Sequence, residues 1–130
     1  MNRSAEELNK ISGQVVDSAM EVHSALGPGL LESAYEGCLK YELTSRGLAV
    51  ACQCELPVTY KSVSLDFGYR IDMIVEGAVV VELKAVDKVL PIHEAQLLSY
   101  LKLSRKRLGL LINFHTVHLR DGIKRMVNGL

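Results

Sequence analysis

The chain has no tryptophan, two phenylalanines, five tyrosines, three prolines and three cysteines. Each scarcity narrows the possibilities. A small, odd number of cysteines argues against a disulfide framework and fits a reducing cytoplasm. Long apolar runs are missing too, and nothing approaches the roughly 20 residues that span a bilayer. The first residues, MNRSAEELNK, are polar and acidic, unlike a signal peptide. Net charge is also lacking: 15 basic and 15 acidic residues leave +0. A protein that coats duplex DNA is normally basic. Any contact with nucleic acid here has to be local, metal-mediated or dependent on a partner. There is no repeat, linker or low-complexity segment.

What is present is a rich core. The 130 residues are 48% hydrophobic, enough for one α/β domain spanning 1–130. The most informative stretch is Tyr69 to Ala85, YRIDMIVEGAVVVELKA. It reads as two β-rich arms around a turn at Glu76-Gly77-Ala78. If Val75 faces Val79, then Met73 faces Val81 and Ile71 faces Leu83, an apolar face. The other face carries Ile74 opposite Val80, Asp72 opposite Glu82 and Arg70 opposite Lys84. A shift by one residue would put acids on the apolar face, which burial resists. Two carboxylates are thereby set side by side, with Lys84 on the face of Glu82. Like charges directly opposed destabilise a sheet. Mg²⁺ between them would remove the repulsion, since it takes carboxylate oxygens, water and phosphate. The plainer reading is a solvated polar face softened by a lysine.

The remaining chain reads as follows. Ser4 to Leu26 is a helix opened by a Ser4–Glu7 capping box, with a stripe at Leu8, Ile11, Val15, Ala19, Val22 and Leu26. Gly27-Pro28-Gly29 breaks it. A second helix runs from about Leu30 to Arg46, ending at Gly47. Its Glu32 has an ordinary explanation as a dipole partner of the helix start. Leu48 to Tyr60 is extended, interrupted by Pro57, with Cys52 and Cys54 on one face as small buried hydrophobes. Val63 to Asp66 adds a short extended piece. Pro91 begins a helix to about Leu103, buried through Ala95, Leu97, Leu98 and Leu101. His93, Gln96 and Tyr100 stand on another side. Lys102, Arg105, Lys106 and Arg107 offset the helix dipole or touch phosphate. Leu108 to Phe114 is a strand buried on both faces. His115 to Leu119 extends the sheet, and Asp121 to Asn128 is a short helix or tail. The order predicts a mixed α/β sheet with helices packed on it.

Several motifs then agree. Gly29, Glu32 and Tyr35 fall in a GxxExxY pattern. Asp72 precedes Glu82-Leu83-Lys84, an acid-x-lysine tripeptide. Gln96 and Tyr100 make a Q-x-x-x-Y helix. From Ala19 to Arg125 the sequence resembles the GxxExxY family, a branch of the PD-(D/E)XK nuclease superfamily with RecB-like motifs. The resemblance implies a restriction-endonuclease-like core, a central mixed sheet flanked by helices. It implies that Asp72 and Glu82 hold Mg²⁺ or Mn²⁺, with the Leu83 carbonyl as a further ligand. Glu32 would bind metal directly or through water. Lys84 would position water and stabilise developing charge, and Gln96 and Tyr100 would orient substrate phosphate or the lysine.

Two function classes follow. One is a cytoplasmic metal-dependent nuclease acting on DNA in preference to RNA, alone, with a protein partner or as a homo-oligomer. The other is a nucleic-acid-binding or partner-regulating module that keeps the nuclease fold without much turnover. The intact acids and lysine favour the first; the neutral charge and small size favour the second. A purely structural α/β domain would leave the opposed acids unexplained.

Overall fold

The computed structural model describes residues 3–130. Helix α1 (Ala5–Leu26) opens with Ser4 as N-cap, and the Ser4–Glu7 capping box is formed. Its buried stripe of Leu8, Ile11, Val15, Ala19 and Val22 follows the spacing read from the sequence, but Leu26, expected to close it, is exposed in the last turn. Helix α2 (Glu32–Ser45) starts two residues later than expected. The strands are β1 (Val50–Glu55), β2 (Val58–Tyr60), β3 (Val63–Leu65), β4 (Arg70–Val75), β5 (Val79–Lys84), β6 (Leu108–Asn113) and β7 (Ile123–Val127). Helix α3 (Pro91–Ser104) is the crossover between β5 and β6, which pair in parallel.

Five strands form one mixed sheet in the order β1-β4-β5-β6-β7, while β2 and β3 pair apart as a small hairpin. One layer of core joins α1 and α2 to the sheet through Tyr35, Leu39, Val81, Leu110 and Phe114. The other joins α3 through Leu97, Tyr100, Leu101, Val80 and Leu111. Burial on both faces explains the unbroken apolar run of β6, every residue of which is buried. Gly109 is the exception in size: a Cβ there would lie 3.0 Å from Leu97 Cδ1 and 3.1 Å from Leu101 Cδ2, so its absence lets α3 approach. No helix among the described residues is long and apolar enough to cross a membrane.

Four local expectations are corrected. Residues 123–127 are an edge strand antiparallel to β6, neither helix nor tail. Residues 115–119 do not extend the sheet: loop and a short 3₁₀ turn, Leu119–Gly122, stand between β6 and β7. On α3, Ala95 is exposed and Tyr100 takes its place in the core, because the helix presents Leu97, Tyr100 and Leu101 to the sheet. Cys52 and Cys54 are half-buried and enter different layers, Cys52 that of α1 and α2, Cys54 that of α3.

Tyr35 secures the start of α2. Its hydroxyl donates to the Gly27 carbonyl at 2.6 Å and accepts from the Leu30 amide at 3.1 Å. Its ring stacks on Phe114 at 4.4 Å. Tyr35→Phe keeps the stacking and leaves both backbone groups without this partner. It is expected to cost about 1–3 kcal/mol, read as a lower melting temperature; an unchanged melt would show that water replaces the hydroxyl without loss.

Candidate active site

The site begins where β4 and β5 part. Their ladder pairs Val75 with Val79, Ile74 with Val80 and Met73 with Val81, the register expected, and stops there. Beyond it the carboxylates take over the backbone's partners. The Asp72 amide donates to Glu82 Oε1 at 3.2 Å, and the Leu83 amide donates to Asp72 Oδ2 at 2.9 Å. The expected pairing of Ile71 with Leu83 is absent from the ladder. Ile71 is instead buried in the α3 layer, whereas Met73 is in the opposite one.

β1 turns over at the same level. Gln53, between Cys52 and Cys54, has a left-handed φ of 53°. Neighbours on either side of such a residue lose the alternation of a regular strand, which is why Cys52 and Cys54 part company. The Gln53 amide nitrogen donates to Glu36 Oε1 of α2 at 2.7 Å and reaches Asp72 Oδ1 at 3.5 Å. Gln53 therefore ties α2 to the acid from β4. Sequence reading passed over it; a lone glutamine in a strand gives no periodic signal. Left-handed glutamine costs on the order of 1 kcal/mol or more. Gln53→Gly is expected to match or exceed the parent in stability while losing the Glu36–Asp72 link, and Gln53→Ala to melt lower than the glycine variant. Paired melts and activity assays check this; equal melts for the two variants would mean the backbone is not strained.

Glu82 is 4% exposed. Burial first, then the charge of Asp72, pushes its carboxyl up to about 9, and Lys84 only partly offsets this. Glu32, on the exposed first turn of α2, is raised by desolvation and then by Asp72; Lys84 pulls the other way and Glu36 adds to the rise. Asp72 and Lys84 thus lie within electrostatic reach of both Glu82 and Glu32. Tyr100 is raised as well, by burial and then by Glu82, Tyr69 and Asp72. Its hydroxyl accepts from Gln96 Nε2 at 3.3 Å. His93 does not share their surroundings: its Nδ1 accepts the Leu90 amide at 3.0 Å, capping α3. The basic cluster is at the far end of the hairpin, where Lys106 Nζ donates to the Gly77 carbonyl at 2.7 Å.

Asn113, also not anticipated, fixes the chain beyond Lys84. Buried to 2% exposure, it exchanges hydrogen bonds with the Val86 backbone at 3.1 and 2.8 Å. The Lys84 carbonyl accepts from Phe114 N at 2.9 Å.

The donor set suits a hard divalent cation. Asp72 and Glu82 offer carboxylate oxygens held close together, and a cation between them would offset their repulsion. Among the described residues no three or more His, Cys, Asp or Glu side chains cluster closely enough to enclose an ion. Water and substrate oxygens would complete the shell, as they do for Mg²⁺ generally.

Comparison with curated proteins and with solved structures returned no match. A family match covers residues 9–126, from α1 to β7, and so includes every candidate residue. An acid on β4, an acid-x-lysine tripeptide on β5 and a helix on each face of the sheet accompany that match over nearly the whole chain, and the chain belongs to the PD-(D/E)XK nuclease superfamily.

Proposed function

We propose that residues 1–130 act as one nuclease domain of the GxxExxY branch, cytoplasmic, that hydrolyses phosphodiester bonds in nucleic acid with Mg²⁺ or Mn²⁺, DNA in preference to RNA. The observation that carries this reading is the opening of β4 and β5 at Asp72 and Glu82. Two acids displace ladder hydrogen bonds and crowd together, Glu82 buried and Asp72 half-buried, with Lys84 within electrostatic reach. Like charges brought together in this way cost a sheet stability, which a bound cation would offset.

Asp72 and Glu82 would hold the cation, joined by the Leu83 carbonyl and by Glu32 directly or through water. Bound there, the cation would offset charge on the phosphate and make a water molecule more nucleophilic. Lys84 would orient that water and meet the negative charge that develops on the phosphate oxygens. Gln96 and Tyr100 would steer the phosphate or the lysine; Tyr100 is held for this by the core contacts of its ring. The test is cleavage of single- and double-stranded DNA and RNA in Mg²⁺, in Mn²⁺ and in chelator. Cutting is expected with either metal and none in chelator; metal-independent cutting would overturn the assignment.

The sparse donor set and zero net charge favour a second reading, a nucleic-acid-binding or partner-regulating module with the same fold. It expects binding without turnover in every metal. A protein partner or a second copy of the chain would then supply what the neutral surface lacks.

A further inference from the structure

Three aromatic rings stand in a row beside the acid pair. The innermost is Tyr100, 7% exposed, in electrostatic reach of Glu82 and Asp72. Its ring centroid is 6.1 Å from that of Tyr69, tilted by 57°. Tyr69, 45% exposed, is 6.5 Å from Phe67, tilted by 59°. Phe67 is 63% exposed. The chain has only two phenylalanines and five tyrosines, and three of these seven rings make this row. Tilted pairs pack edge against face, and the exposure of Tyr69 and Phe67 shows that much of each ring still meets water.

The row's position narrows what would cover it. It starts at the acids and ends in solvent, so its occupant would lead directly to the candidate site. Tyr69 is three residues before Asp72 in the chain, and its carbonyl is fixed by the Leu56 amide at 3.1 Å. Phosphate attraction offers little here: the chain is neutral and the site acidic. Stacking on aromatic faces is the other general source of affinity for nucleic acid, worth roughly 5- to 150-fold per base. It needs bases that are not stacked in a duplex. On the β2–β3 hairpin, which precedes Phe67 in the chain, Lys61 Nζ is 5.4 Å from the centroid of the 62%-exposed Tyr60 ring.

We propose that Phe67 and Tyr69 form a stacking track for unpaired bases, which makes single-stranded nucleic acid the substrate class of the site. The proposal rests on the nuclease reading for what happens at the inner end of the track. It goes beyond that reading in naming the strand state and the residues that select it.

The experiment measures anisotropy of a short labelled DNA strand in chelator, so that binding is read without cutting. The same sequence as a blunt duplex, and the same strand with abasic positions, are the comparisons. Wild type is expected to bind the strand at least 5-fold more tightly than the duplex. Phe67→Ala and Tyr69→Ala should each weaken strand binding by roughly 5-fold or more, with Tyr69→Phe close to wild type. The abasic strand should bind wild type no better than the intact strand binds the alanine variants. Melting curves for each variant confirm the fold, and Phe67→Leu keeps an apolar side chain without a ring. Equal binding of strand and duplex, full binding of the abasic strand, or no binding at all would overturn the track. Full strand binding by Phe67→Leu would overturn it, because an apolar side chain without a ring would then suffice. Cleavage separates the two proposals. Metal-dependent cutting with no strand preference, unchanged in Phe67→Ala, leaves the nuclease standing and removes the track. Ring-dependent strand binding without any cutting does the reverse.

Discussion

Glu82→Gln is expected to remove metal-dependent cleavage by on the order of 10²–10³-fold or more, without loss of the fold. Glutamine has nearly the same volume and still has an oxygen to accept the Asp72 amide, now 3.2 Å from Glu82 Oε1. It also ends the repulsion with Asp72 that raises the Glu82 carboxyl. What it loses is one negative oxygen donor for the cation. Lys84→Ala should bring a loss of similar order by a different route. It removes the charge that lowers Glu82 and Glu32 and that would meet the phosphate in the transition state. The metal requirement should therefore shift upward in Glu82→Gln, while in Lys84→Ala the rate should fall at saturating metal. Single-turnover cleavage of labelled DNA across a range of Mg²⁺ and Mn²⁺ concentrations distinguishes the two. Activity within a few-fold of wild type in both variants would take the catalytic role away from this pair.

Metal-free protein should lose stability as pH rises, contrary to the usual behaviour of a paired carboxylate. The folded-state value of Glu82 is about 9, against an ordinary 4.5. Between those values the native state holds a proton that the unfolded state has released. Stability attributable to this group is complete below 4.5 and lost as pH climbs towards 9. The slope from one such group is at most about 1.4 kcal/mol per pH unit. Glu82→Gln should flatten this limb, and Asp72→Asn should raise metal-free stability at its alkaline end while weakening metal binding. Mg²⁺ or Mn²⁺ should stabilise wild type most at high pH, where the acids are charged, by about 2.7 kcal/mol at a hundred times the dissociation constant. Thermal melts from acid to alkaline pH, with and without metal, give all these numbers. A melting temperature indifferent to metal, together with Asp72→Asn simply destabilising, would mean that the carboxylates serve the fold through hydrogen bonds. The binding-module reading would then move ahead.

Much of this architecture could be read locally. Ser4 and Glu7 announce the first helix because a cap needs only residues three apart. The register of β4 on β5 follows from Val75, Met73, Val79 and Val81, since a one-residue slip would put an acid among the apolar side chains packed under α1 and α2. The unbroken apolar run of β6 demanded cover on both faces and has it. Strand β7 gave no such signal. As an edge strand its burial is intermediate at Ile123 and Met126 and slight at Lys124, Arg125 and Val127, so neither period stands out. The spacing of His93, Gln96 and Tyr100 sets Tyr100 apart from the buried side of α3, yet an aromatic ring can be buried while its polar tip keeps a partner.

The sequence by itself singled out the two acids and the lysine as candidates and put Glu82 and Lys84 on one face of β5, because side-chain alternation is a property of neighbouring residues. Only the tertiary structure decided that β4 and β5 open at Asp72 and that Gln53 turns β1 over beside it. It alone brought Glu32 on α2 within electrostatic reach of Asp72 and Lys84, and Tyr100 on α3 within reach of Glu82 and Asp72. Those outcomes depend on contacts between elements far apart in the chain. A left-handed glutamine or a broken ladder is unfavourable on its own, and it persists because the surrounding contacts of Glu36, Asp72 and Leu83 hold it there.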